Sequence, residues 1–218
     1  MMNYAAARHN MVENQIRTNR VTDPAVIKAM DSVPREVFVP VQLRGVAYVD
    51  ENLDLGNGRS LMAPMRFARL IQAAELTGSE VVLDVGCASG YSAAVLSRLA
   101  STVVALESDA ELSAQATSRF SELAVDNVAL VSGALAAGDA AHGPYDVIVV
   151  EGSVSEIPEV LVKQLADGGR LLAVVCGESG IGRATLVLRT GDVFSSRALF
   201  DTAVAPLPGF QAKPGFVF

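Results

Sequence analysis

The sequence predicts an α/β fold: a mostly parallel sheet with helices on both faces, an antiparallel C-terminal edge and an N-terminal helical cap. Three observations carry this. Short β-branched runs alternate with longer helical stretches from about residue 76 onward. A small-residue turn, Gly86-Cys87-Ala88-Ser89-Gly90, joins the first run to its helix. The last two apolar runs, Ala184–Leu188 and Ala203–Leu207, have no long helix between them and read as a hairpin.

The first 75 residues read differently. Tyr4–Thr18 and Pro24–Met30 have helical patterning, Leu53–Pro64 is Gly-rich and polar and reads as a loop, and Pro64 opens a helix carrying Phe67, Leu70 and Ile71. The core then runs Val81-Val82-Leu83 (strand), Ser92–Leu99 (helix), Val103–Leu106 (strand) and Glu111–Leu123 (helix). Val128–Val131 and Val147–Val150 are strands, Pro158–Leu165 a short helix, and Leu171–Val175 the fifth strand. With no repeat or low-complexity linker, residues 1–218 are expected to form one domain, with 1–75 as cap and substrate loop and 76–218 as core.

Composition narrows the function. Of 218 residues, half are hydrophobic and 19% charged, with a net charge of −7. An acidic surface repels phosphate backbones, so nucleic acid is not an expected partner. The apolar runs are too short to span a bilayer, and no secretory signal pattern opens the sequence; the reading is cytoplasmic. Cys87 and Cys176 read as buried thiols in a reducing compartment, and with His9 and His142 they give no metal-ligand spacing. Nothing forces an oligomer, so a monomer or weak dimer is expected. The aromatic tail of Phe210, Phe216 and Phe218 is expected to pack on its own domain.

The sharpest local signal is Asp84-Val85-Gly86-Cys87-Ala88-Ser89-Gly90, where a strand enters a glycine turn and then a helix. Ligands of open α/β sheets bind beyond the carboxyl ends of the strands. A dinucleotide site would carry G-x-G-x-x-G, which is absent, and an acid two residues before the first glycine would repel pyrophosphate. S-adenosylmethionine, with a sulfonium and an ammonium and no phosphate, is compatible with Asp84. Glu107 ends the next strand, where an acid can accept both hydroxyls of an adenosine ribose. The cofactor-binding set is therefore Asp84, Gly86, Cys87, Ala88, Ser89, Gly90, Glu107, Ser108, Gly133 and Ala134.

These residues resemble those of the protein-L-isoaspartate O-methyltransferases. Asp84–Tyr91 is similar to that family's [DE]-[VI]-G-T-G-S-G-Y loop, Val33–Pro40 to "VPRE-x-FVP", and Ala47–Asp50 to "AY-x-D". Pro144–Val150, Glu156–Pro158, Gln164–Arg170 and Ala205–Leu207 resemble further segments in the same order. The resemblance implies a Rossmann-like class I S-adenosylmethionine-dependent methyltransferase fold, a peptide or protein carboxylate as acceptor, and methylation of isoaspartyl α-carboxylates that initiates protein repair.

The family's substrate loop, G-x-G-x-T-I-S-x-P, aligns here with Gly56–Pro64. Its substrate-placing serine falls at Met62, whose thioether donates no hydrogen bond, and Ser60 stands where the family has threonine. Met62 and Ser60 are the candidate catalytic positions, on one side of the chain if it is extended. Arg59 reads as a solvated loop charge, with a substrate carboxylate, Glu51 or Asp54 as alternative partners. Ala88 replaces a glycine, which is tolerable at negative φ, and Ala134 replaces an acid expected to meet adenine, with nearby Asp139 a weak substitute. Glu151 is expected to add negative charge at the mouth. The alternative is a scaffold of the same fold without isoaspartyl activity.

Overall fold

The computed structural model describes residues 2–177 and 180–210. The chain opens with α1 (Tyr4–Met11), which widens into a π turn at Val12–Ile16 and tightens into a 3-10 turn at Arg17–Asn19, and α2 (Pro24–Ser32), capped by Asp23 accepting from the Ala25 and Val26 amides. Short helical turns at Arg35–Phe38 and Val41–Val46 lead to a small hairpin of β1 (Leu53–Gly56) and β2 (Arg59–Leu61). Helix α3 (Pro64–Gln72) then starts at the expected proline. The core follows as β3 (Val81–Val85), α4 (Tyr91–Leu96), β4 (Thr102–Glu107), α5 (Ala110–Glu122), β5 (Val128–Ser132), β6 (Tyr145–Val154), α6 (Glu159–Val162) and β7 (Leu165–Cys176). It ends with β8 (Gly182–Thr190) and β9 (Val193–Asp201).

Seven strands form one sheet in the order β5-β4-β3-β6-β7-β8-β9, parallel up to β7 and antiparallel across β7-β8-β9. Strand β3 pairs with both β4 and β6, so the direction of chain progression reverses beside it. Period-two side-chain alternation splits the core between the two faces. Val82, Val103, Ala105, Val147 and Val149 join the buried cluster containing α3, α4 and the N-terminal cap, from Met11 to Tyr48. Leu83, Val85, Val104, Leu106, Ile148 and Val150 face the other cluster, with Leu161, Leu207 and Phe210.

Two sequence expectations are corrected. Leu53–Pro64 is not simply a loop, since it holds the β1–β2 hairpin. Its turn uses left-handed φ at Gly56, Asn57 and Gly58, which suits glycine and asparagine and hid the short strands behind turn composition. The last strand is Val193–Asp201, not Ala203–Leu207. Edge strand β9 is largely exposed and therefore polar in places, while Pro206 lacks the amide a strand ladder uses and meets the sheet only through a single bridge to Ser153. Cys87 is buried as expected; Cys176 is partly exposed at the end of β7. Phe210 packs in the core and its carbonyl accepts from Ser155 Oγ at 2.7 Å; Phe216 and Phe218 lie outside the described residues.

Gly90, at φ +98°, begins α4 where an added Cβ would lie 2.8 Å from the Phe120 ring and 3.0 Å from Ala116 Cβ. Left-handed strain and overpacking then act together, so Gly90→Ala should cost about 2–4 kcal/mol of stability, read from the urea midpoint.

Candidate active site at the sheet's switch point

The C-terminal ends of β3, β4 and β6 deliver three acids to one place: Asp84, Glu107 and Glu151. Asp84 and Glu107 are completely buried. The turn after β3 is built from its backbone: the Gly86 and Cys87 amides donate to the Leu106 carbonyl, and the Gly90 amide donates to Cys87 O. Its φ values are +83° at Gly86, +50° at Ala88 and +98° at Gly90. Ala88 therefore does not meet the negative-φ condition; an alanine holds a left-handed position here. What keeps it there is its amide, which donates to Glu107 Oε2 at 2.7 Å.

Glu107 is engaged on every side. Its Oε1 accepts from the Ser108 amide at 2.8 Å and the Asp109 amide at 3.0 Å, and it forms a salt bridge with Arg59 Nη1. Arg59 is 3% exposed, and its Nη2 donates to Gly86 O at 2.8 Å. The expectation of a solvated loop charge is thus overturned. The β2 pleat turns this side chain inward, and the acids of the cleft make an uncompensated guanidinium unnecessary. The signal available in the sequence was the net excess of acids at the strand ends, against one arginine in the facing loop.

Arg59 meets Glu107 directly, and the two other carboxyls, Asp84 and Glu151, are both shifted upward. Burial pushes Asp84 up to about 7, with the Glu107 charge adding to the effect and the Ser92 hydrogen bond and Arg59 opposing it. Glu151 is held well above the ordinary glutamate range, first by burial and then by Asp84. The shift favours the neutral form of Glu151, against the expectation of added negative charge at the mouth. Asp84 Oδ1 and Glu151 Oε1 are buried without a hydrogen-bond partner among the described residues, whereas Asp84 Oδ2 accepts from Ser92 Oγ at 2.6 Å.

The remaining expected residues surround this centre. Met62 and Ser60 line the same small cavity, with Glu151, Gly152 and Leu207, and its volume is about 10 Å³. Met62 is buried, and its carbonyl accepts from Arg35 Nη2 at 2.7 Å. Ser89 is occupied structurally, its Oγ donating to Phe38 O. The Gly133 amide donates to Glu107 O, and Ala134 is exposed beyond it. Asp139 is no substitute acid, since its carboxylate meets His142 and the Tyr145 hydroxyl.

Two parts of the site were missed in the sequence. Arg35, fully buried, ties the carbonyls of Ala47 and Met62 and lies 4.8 Å from the Tyr91 ring centroid, so it positions the hairpin's exit. Leu207 covers Gly86: the Ala205–Leu207 segment runs along the end of β6, with Ser153 donating to Ala205 O and the Leu207 amide donating to Ser153 O, both at 2.8 Å. A larger cavity, about 800 Å³, is instead an open groove near α6, β8 and β9, where no such cluster of buried acids converges. No group of metal-ligating side chains is present among the described residues.

Comparison with known proteins gives the family and the fold. Residues 6–206 match the family described as Protein-L-isoaspartate(D-aspartate) O-methyltransferase (PCMT). Protein-L-isoaspartate O-methyltransferase 1 of Rhodopseudomonas palustris (strain HaA2) is 38% identical over 207 residues, covering 94% of this chain and 84% of that protein. Protein-L-isoaspartate O-methyltransferase 2 of Pelobacter propionicus (strain DSM 2379 / NBRC 103807 / OttBd1) is 37% identical, covering 97% and 94%. A solved protein-L-isoaspartate O-methyltransferase superposes with a TM-score of 0.81 at 26% identity, covering 93% of this chain and 67% of that one. A Plasmodium falciparum structure, a β-aspartate methyltransferase (PCMT) in complex with S-adenosyl-L-homocysteine, shares the fold with a TM-score of 0.77 at 20% identity, covering 96% and 100%. The architecture is the Rossmann-like class I methyltransferase fold.

The raised Asp84 has a sign that can be measured. Between about pH 4 and 7 the folded chain keeps a proton that the unfolded chain releases, so this group's contribution to stability falls as pH rises through that window. Asp84→Asn still accepts from Ser92 and carries no charge to bury. Its melting temperature should gain on the parent's from pH 5 to pH 8, by the equivalent of about 1 kcal/mol or more.

Proposed function

The chain belongs to the protein-L-isoaspartate O-methyltransferase family, and from that premise we propose that it transfers a methyl group from S-adenosylmethionine to a carboxylate oxygen, the isoaspartyl α-carboxylate of a damaged peptide or protein being the first candidate. One observation carries this: within a match spanning residues 6–206, Asp84, Gly86 and Glu107 converge where the sheet's strand order reverses. The reading treats residues 1–218 as one unit, with 1–75 capping 76–218, working as a monomer or weak dimer. No helix of the described residues is long and apolar enough to cross a membrane, and Cys87 and Cys176 are both free. The proposal includes a repair role in the cytoplasm.

The donor set suits the cofactor. Glu107 would take the ribose hydroxyls, while the Gly86 carbonyl and the unpartnered Asp84 Oδ1 suit its cationic amino-acid end. Gly133 and Ala134 would flank the adenine without a side-chain acceptor. The bound cofactor supplies an activated methyl on a sulfonium.

The chain's own residues then need little acid–base chemistry. A carboxylate acceptor is ionised at neutral pH, so no general base is required. The work is orientation and exclusion of water. Leu207, Met62 and the hairpin wall off the centre from solvent. A neutral Glu151 can donate a proton into a hydrogen bond with an acceptor carboxylate instead of repelling it. Arg35 holds the Met62 backbone, which sets the distance of the substrate loop from β3.

Labelled methyl transfer to an isoaspartyl peptide, with the matching aspartyl peptide as control, tests the reading. Base-labile label in the isoaspartyl peptide alone is expected, and no label at saturating cofactor would overturn it. Met62→Ser restores a hydroxyl at the substrate loop and should raise kcat/KM for the isoaspartyl peptide by about tenfold, the value of one hydrogen bond.

A further inference from the structure

Two of the three polar partners that the proposed function assigns to the cofactor, Glu107 and the Gly86 carbonyl, are already taken by the chain itself, while Asp84 Oδ1 stays without one. Arg59 places one guanidinium nitrogen on Glu107 Oε1 and the other on Gly86 O. A Cβ built on Gly86 would lie 3.1 Å from Arg59 Nη2, so the guanidinium sits directly against the glycine turn. On the other side of Arg59, the cavity between the hairpin, Glu151 and Leu207 is about 10 Å³ and scarcely holds one water. Arg59 also resembles the cofactor in charge, a buried cation against the same acids.

We infer that the β1–β2 hairpin is a gate whose side chain Arg59 competes with S-adenosylmethionine for Glu107 and the Gly86 carbonyl, so that the cofactor enters only after the hairpin swings out. This rests on the cofactor reading given above and adds to it how the site is regulated.

The hairpin is built to pivot. Its base is fixed: Asn52 Oδ1 accepts from the Ala63 amide and Asp50 Oδ1 from the Met65 amide, both at 3.0 Å. Leu53 and Leu61, paired across the base, are buried. Its tip is exposed, with three successive left-handed residues and nothing within 4 Å of a Cβ placed at Gly56. The tip is closed by one surface contact, Asn57 Nδ2 donating to Asp109 Oδ2 at 3.1 Å. The buried Arg59 contacts therefore hold the gate shut, and the population of the open form scales the apparent cofactor affinity.

Calorimetric titration of the parent, Arg59→Ala and Arg59→Gln with S-adenosylhomocysteine tests this. Glu107 keeps three backbone donors in both variants, from Ala88, Ser108 and Asp109, so its carboxylate remains partnered. Both variants should bind at least about tenfold more tightly than the parent. A smaller gain, with binding present, overturns the gate and leaves the cofactor reading in place. No binding by any of the three overturns both. Should the Arg59 variants fail to fold, Asn57→Ala loosens only the surface tether and should tighten binding about threefold; unchanged affinity then overturns the gate.

Discussion

The site is organised around the carboxylate of Glu107. It gathers the amides of Ala88, Ser108 and Asp109 and the guanidinium of Arg59. A buried carboxylate needs such donors to replace its lost hydration, and these come from three separate parts of the chain: the turn after β3, the entry to α5, and the hairpin. The strained backbone at Ala88 persists because its amide belongs to this set. The β1–β2 hairpin, the glycine turn after β3 and the end of β4 are thereby held in one register by one side chain.

Charge balance explains what surrounds it. Burial among like charges pushes Asp84 and Glu151 toward their neutral forms, and their unpartnered oxygens mark where a further positive group would be most welcome. An acidic cleft of this kind suits a cationic cofactor and rejects a pyrophosphate, in agreement with the absence of a dinucleotide fingerprint.

The sheet was legible in the sequence because β3, β4 and β6 are buried on both faces and rich in Val, Ile and Leu. Asp84 and Glu107 were legible because acids at the ends of such strands are conspicuous. The hairpin and β9 were not, since three-residue strands beside glycines and an exposed polar edge lack a hydrophobic period. Arg59 was misjudged for a related reason: local composition reports a loop, while its inward direction depends on pairing with Leu53–Gly56 and its partner lies 48 positions away. Likewise the covering role of Leu207 depends on a contact with β6 that no local pattern encodes.

That contact also sets an order on biosynthesis. Asp84, Glu107, Arg59 and Glu151 all precede residue 152, so a nascent chain translated through β6 already carries every charge of the centre. Leu207, which shields Gly86, and the Ala205 carbonyl, which pairs with Ser153, come more than 50 residues later. Until those residues are made, the acids stand open to water and their burial is incomplete. The emerging chain thus passes through a stage in which the cleft is hydrated and unsealed, and the last described segment converts it into a dry one.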